Sequence, residues 1–197
     1  APEDDHGHGT FVAALAVGRG AQGVWGVVPD CGFVPLKVPL FATIDSYARR
    51  RDAILAAAAL ARAGQRVVVN LSWRTVGDIA LIRTAVAEAL AAGAIVVASA
   101  GNNPAEGGRP HYPSDYAGVI SVGAVNAAGA RAPYSQWGTE TDLAAPGGDG
   151  QGGTNLRSAA LDGGVRDDWG TSFSAAIVTG AAALAWSRMP GASAAAV

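Results

Sequence analysis

Cysteine is almost missing from these 197 residues, since Cys31 stands alone. No intrachain disulfide can form, and one thiol reports neither an oxidising nor a reducing compartment. Its plainest role is that of a small buried hydrophobe. Charge is scarce too: 14 Lys and Arg stand against 16 Asp and Glu, a formal net charge of −2, with 15% of residues charged. They are scattered and make no basic stripe to neutralise phosphates, which excludes nucleic acid as a partner. No apolar run reaches the roughly 18–20 residues that cross a bilayer, because Arg, Gly or Pro interrupts each one. No membrane span is expected. A basic-then-apolar signal segment is also lacking. The sequence opens at Ala1-Pro2-Glu3-Asp4-Asp5 directly against its first motif, so a maturation cut or another boundary is expected there.

What is present is apolar and small. Half the residues are hydrophobic and 27 are glycine, a composition suited to tight turns and close helix packing. One globular domain over residues 1–197 is expected, large enough to bury a core without disulfides or metal.

Segments 32–38 and 66–72 are short and rich in Val and Leu, as strands buried on both faces are. Between them, 45–63 repeats Ile54, Leu55, Ala58, Leu60 and Ala61 at near-helical spacing and stops at Gly64. The pattern recurs as a helix over 78–92 stopped by Gly93, a strand over 94–100 and a further strand over 119–125. Strands separated by such helices predict an α/β fold, a mostly parallel central sheet covered by helices on both faces. Residues 126–168, rich in Gly, Pro, Ser, Asp and Asn, read as a long surface excursion. Residues 171–188 are almost uninterrupted small and apolar side chains ending at Pro190-Gly191, the mark of a buried helix.

Three short motifs fall at junctions where a strand or loop meets a helix. They are His6-Gly7-His8-Gly9-Thr10, Ala98-Ser99-Ala100-Gly101-Asn102 and Gly170-Thr171-Ser172-Phe173-Ser174-Ala175. Singly each has a plain structural explanation: Ser172 a small residue at a helix start, Asn102 part of an Asn-Asn turn. In this order, together with Gly26-Val27-Val28-Pro29, Leu36-Lys37-Val38, Ala144-Ala145-Pro146-Gly147 and Gly180, the chain resembles the subtilisin-like serine peptidases along nearly its whole length.

That resemblance implies the roles. His8, within His-Gly-Thr, is the general base, and Ser172, within Gly-Thr-Ser, is the nucleophile. The Asn102 amide and the Ser172 backbone N–H are the oxyanion donors. A serine hydroxyl needs a neighbouring imidazole to take its proton as it attacks a carbonyl, and the oxyanion that forms needs donors already in place. Ser72, Trp73 and Arg74 resemble the edge that pairs with an extended peptide substrate, with two bulky substitutions. Ala98, Ser99, Ala100 and Gly101 correspond to the opposite wall. His111 aligns near the floor of the first specificity pocket, with a surface loop histidine as the alternative. The substrate implied is a polypeptide, and family habit implies secretion or another extracytoplasmic location.

Other readings of the same residues are weaker. Asp4-Asp5-His6-Gly7-His8 has no second ligand group downstream to complete a metal site. His6 reads as a loop neighbour, and no metal or cofactor is expected. Asn70-Leu71-Ser72 matches a glycosylation sequon but ends a strand expected to be buried.

The departures matter as much. The family opens with a strand ending in Asp followed by Ser or Thr and Gly, and no such motif occurs in the 197 residues. Neither Asp4 nor Asp5 lies on a preceding strand, so the third catalytic group is unassigned. It is expected on an upstream segment or a separate chain, which makes the domain N-terminally incomplete. Ala175-Ala176 replaces a Ser-Pro pair, and the short turn 18–23 lacks the Asn-rich loop that holds calcium in some members, so none is expected there. Three activities remain open: a serine endopeptidase, a pseudo-peptidase that binds extended peptides, and an acyl hydrolase or transpeptidase of the same fold.

Overall fold

The computed structural model describes residues 3–39, 44–106, 108 and 110–197. Four strands form one sheet: β1 (Val68–Leu71), β2 (Ile95–Ser99), β3 (Ile120–Val125) and β4 (Leu143–Pro146), hydrogen-bonded in that order. Every pairing is parallel, with Asn70 opposite Val97, Ala98 opposite Ser121 and Ala124 opposite Ala145. Strand β2 is buried along its whole length, which explains its unbroken run of apolar and small residues.

Helices cover both faces, as the alternation predicts. On one side α2 (Ile44–Arg62) and α3 (Ala80–Ala91) pack Ile54, Ala58, Ile82 and Val86 against Val96 and Ala98 of β2. On the other, α4 (Thr171–Arg188) packs Ala175, Val178 and Trp186 against Ile95, Val97 and Val122. Successive β2 side chains thus enter opposite cores, as the two-residue period of a strand requires. Helix α1 (His8–Val17) lies on α4, and Phe11 stacks on Phe173 with ring centroids 4.3 Å apart. The approach is close at Gly180, where a Cβ would sit 2.7 Å from Val27 Cβ and 3.2 Å from the Ala16 carbonyl. Any side chain there would push α4 off α1 at a cost of about 1–3 kcal/mol.

Two sequence expectations need correction. Residues 32–38 are not a strand, and Phe33, Val34 and Leu36 are exposed. Their composition suits a strand, but a strand exists only with a neighbour to share its ladder. Among the described residues none pairs with 32–38 or with the outer edge of β1. In keeping with that open edge, β1 is only half-buried at Val68, Val69 and Asn70, whereas β2 is fully buried. The excursion 126–168 is likewise not all surface. It contains β4 and an antiparallel hairpin, β5 (Leu156–Ala159) with β6 (Val165–Asp168). These four-residue strands are too short, and too interrupted by Gly and Pro, to show in an alternation pattern. No described helix is long and apolar enough to cross a membrane.

Candidate active site

The histidine and serine motifs begin the two helices that pack together. Asp4 sets the first: its carboxylate accepts the N–H groups of His6 at 3.0 Å, Gly7 at 3.0 Å and Thr10 at 2.7 Å, and the Thr10 hydroxyl at 2.8 Å. It satisfies donors that a helix start leaves orphaned. Burial raises the Asp4 pKa, but these four donors prevail and hold it well below the usual carboxylate range. Asp5 pairs with Lys37 at 2.8 Å. Neither aspartate hydrogen-bonds to the His8 ring.

His8 is the first residue of α1, and its ring centroid lies 5.8 Å from that of Phe173, the residue after Ser172. Burial lowers its pKa, and the neighbouring His6 lowers it further, while Asp168 and Asp4 oppose the shift. The shift favours the neutral imidazole. Among the described residues no side chain hydrogen-bonds to it. The Ser172 hydroxyl is held only by a long bond, 3.5 Å, to the Ser72 carbonyl.

The groups expected as oxyanion donors are set more tightly. The Thr171 N–H and hydroxyl donate to Asn102 Oδ1 at 2.9 and 2.7 Å, and the same hydroxyl accepts the Gly101 N–H at 3.1 Å. An N–H can donate only to the oxygen, so this network fixes the amide and leaves Nδ2 as the outward donor. Gly170 stays clear of it, for a Cβ there would lie 3.1 Å from Nδ2. The Ser172 N–H lies in the first turn of α4, where backbone donors have no intrahelical partner. Gly101 has φ of +110°, and a Cβ on it would overlap the Gln136 amide and lie 2.7 Å from His111 Cδ2. Only glycine fits that position.

Thr171 lies within the quoted motif, yet nothing in sequence spacing gives it this task. Replacing it with Val removes one donor from Asn102 and the acceptor from Gly101, and should lower kcat about 10–100-fold with little change in KM. Asn102→Ala should cost roughly 10²–10³-fold, a magnitude taken from removal of such a donor in subtilisin. Steady-state kinetics of both variants would check this, and an unchanged kcat in either would remove that residue from the oxyanion machinery.

The groove residues divide. Ser72 joins the edge to the nucleophile: its hydroxyl donates to the Ser172 carbonyl at 2.7 Å and accepts from Asn70 Nδ2 at 2.9 Å, while Thr179 donates to Asn70 Oδ1 at 3.0 Å. Asn70 is thus engaged in this network, in keeping with setting the sequon aside. Trp73 turns inward and packs against the core beneath α2. Arg74 reaches across to Glu106 at 3.3 Å. Glu106, whose pKa is lowered first by its bond from Asn103 and also by Arg74, receives Asn103 Nδ2 at 2.8 Å and Gln136 Nε2 at 3.4 Å. The Arg74–Glu106 ion pair is exposed and worth at most about 1 kcal/mol.

The residues expected on the opposite wall, Ala98 to Gly101, lie at the end of strand β2. Ala98 is 0% exposed and paired with Leu71 on one side and Ser121 on the other, and Ser99 is buried opposite Val122. Ala98 is thus paired on both sides, whereas Ser99 is paired on the β3 side alone. The Ala100 N–H still donates to the Val122 carbonyl at 2.9 Å, and Ala100 and Gly101 lie beside His111. His111 is no surface histidine: it is buried behind Gly101, and burial first, then Arg74, lowers its pKa to about 4.

This arrangement, a parallel α/β sheet with a serine at one helix start, a histidine at another and an asparagine amide beside the serine's helix, resembles a class of serine site that exists on several folds. The whole chain, residues 1–197, matches the Subtilase family. It is 34% identical to a subtilisin of Bacillus pumilus over 193 residues, covering 95% of this chain and 66% of that protein. With subtilisin E of Bacillus subtilis (strain 168) the identity is 33% over 193 residues, or 95% of this chain and 48% of that one. Among solved structures, the S41 psychrophilic protease superposes with a TM-score of 0.86 at 28% identity, covering 99% of this chain and 68% of that one. Sphericase gives 0.85 at 28% identity, over 100% and 68%. The chain belongs to the subtilase family. It spans about half to two thirds of the length of the relatives it matches in sequence.

Proposed function

We propose that this chain carries the nucleophile, base and oxyanion donors of a subtilase endopeptidase that cleaves polypeptides through an acyl-enzyme on Ser172. The observation that carries the reading is the meeting of three motifs, 94 and 70 residues apart in sequence (8 to 102, and 102 to 172), at one corner of the fold. The hydroxyl oxygen of Ser172 attacks the peptide carbonyl as His8 accepts its proton. The oxyanion rests on Asn102 Nδ2 and the Ser172 N–H. Collapse expels the amine with the proton from His8, and water then repeats the sequence on the ester. A catalytic aspartate for His8 belongs to this proposal. It would come from an upstream segment or separate chain pairing with the outer edge of β1. Two features support that placement: the half-buried apolar residues of that edge, and exposed Phe33, Val34 and Leu36 on 32–38. An extracytoplasmic location rests on the resemblance alone.

Modification of the complete enzyme by a fluorophosphonate, mapped by mass spectrometry, tests the reading. The expected adduct is on Ser172, and an adduct elsewhere, or none, would overturn it. An acyl hydrolase or transpeptidase would pass through the same acyl-enzyme and is told apart by its products. The lack of a hydrogen bond to His8 among the described residues favours one further reading, a pseudo-peptidase that binds extended peptides without cleaving them.

Arg74 belongs to the specificity part of the proposal. It pairs with Glu106 at 3.3 Å, and on this reading the pair crosses the groove, so a substrate side chain has to displace it or fit beneath it. Arg74→Gly should broaden cleavage of a peptide library at little cost to the best substrate. Identical profiles for both proteins would show that this edge does not set selectivity.

A further inference from the structure

Arg50, on α2, is 2% exposed and the largest fully buried side chain described. Taking a guanidinium out of water is costly unless its donors are used, and burial lowers its pKa against an opposing effect of Tyr47. Its fork is used in an informative way. Nη1 donates to the Arg74 carbonyl at 2.9 Å and Nη2 to the Pro39 carbonyl at 3.0 Å. The guanidinium lies 4.6 Å from the Trp73 ring centroid and 5.8 Å from that of Tyr47.

The β1–β2 ladder stops at the pairing of Leu71 with Ala98. Residues 72–74, the edge assigned to the substrate, therefore lie beyond the hydrogen bonds that hold the sheet. One end is tied by Ser72 to the Ser172 carbonyl at 2.7 Å, the other by the Thr75 N–H to the Tyr112 carbonyl at 2.9 Å. Between these ties the Trp73 ring and the Arg74 carbonyl both meet Arg50.

We infer that Arg50 is a positioning residue for peptide binding, a buried fork that fixes the backbone of 73–74 in the orientation an incoming extended peptide must meet. The inference rests on the peptidase reading for the ligand class, an extended polypeptide, and for the edge that receives it. A carbonyl oxygen has two lone pairs. Arg50 takes one in a charge-assisted bond, sets the plane of the peptide group after Arg74, and leaves the second lone pair for a substrate N–H. A lysine keeps the charge but supplies no planar fork and no stacking face, so it cannot bond both carbonyls while lying flat on Trp73.

The test is binding of a fluorescein-labelled alanine-rich hexapeptide, followed by anisotropy on the Ser172→Ala background so that the peptide is not consumed. Arg50→Lys should weaken binding about tenfold or more, while Arg51→Lys, on the exposed side of the same helix, should leave it unchanged. Arg50→Ala should regain affinity when guanidinium ion is added, which general loss of packing would not do. In the complete enzyme, Arg50→Lys should raise KM for extended peptides and leave kcat for a small ester unaltered. Equal or tighter peptide binding by Arg50→Lys overturns the inference, as does equal loss in Arg51→Lys. Absence of peptide binding by the parent overturns both this inference and the peptidase reading. Arg50-dependent binding in a protein whose Ser172 never acylates upholds the inference and removes only the hydrolase.

Discussion

Ser172→Ala is expected to reduce peptide hydrolysis by the complete enzyme about 10⁶-fold, the scale of nucleophile loss in subtilisin, and to abolish covalent labelling. On the proposed reading the effect should match loss of His8 and exceed loss of Asn102, because the hydroxyl forms the bond on which both half-reactions depend. The neighbouring Ser174 hydroxyl is not free for the task. Ser174, two residues on, is fully buried, and its hydroxyl donates to the Ala145 and Pro146 carbonyls at 3.0 and 3.2 Å. Substrate affinity should persist, since the groove and Asn102 are untouched. Hydrolysis and fluorophosphonate incorporation measured on the purified variant check this. Retained labelling would remove Ser172 as nucleophile.

The second large effect concerns His8. With no carboxylate hydrogen-bonded to it among the described residues, the imidazole is neither oriented nor stabilised once it accepts the serine proton. Supplying the aspartate-bearing segment, joined to the chain or added separately, is expected to raise turnover by up to about 3 × 10⁴, the loss known from subtilisin when that group alone is removed. The pH profile should move with it. Burial and the nearby His6 keep the His8 pKa below its ordinary value. An adjacent carboxylate favours the charged imidazole and raises that pKa. Activity requires the neutral form, so the acid limb of kcat should lie at higher pH with the segment than without it. Peptide hydrolysis with and without the segment across pH, blanked with Ser172→Ala, measures both effects. Full activity without the segment would assign orientation of His8 to a group already present, Asp168 being the nearby candidate. No gain with it would leave the peptide-binding module as the better description.

Much of the fold could be read from the sequence because its signals are local. Gly64 and Gly93 end helices that the structure closes at Arg62 and Ala91, and the apolar run at 94–100 becomes the buried β2. The segment 32–38 misled for a definite reason. Apolar composition reports a capacity to pair, whereas pairing depends on a neighbour that local sequence does not contain. Strand β4 was missed in the opposite sense: Leu143-Ala144-Ala145-Pro146 has little strand propensity, and its place beside β3 comes from the parallel register set by tertiary packing.

The amino-acid sequence by itself determined the α/β class and singled out His8, Asn102 and Ser172 as candidates, because each sits in a short motif whose glycines and small residues serve a backbone requirement legible in a few adjacent positions. Only the tertiary structure decided how these groups are held. Thr171 fixes the Asn102 amide across 69 residues of chain, Ser72 bonds to Ser172 across 100, and Arg50 reaches Arg74 across 24. A hydroxyl or guanidinium can serve any partner within about 3 Å, and its side-chain type carries no record of which partner the fold will bring there. For the same reason composition could not show that Asp4 is consumed as the cap of α1 rather than serving His8. Four donors converge on its carboxylate, and that convergence exists only once the chain has turned into the helix.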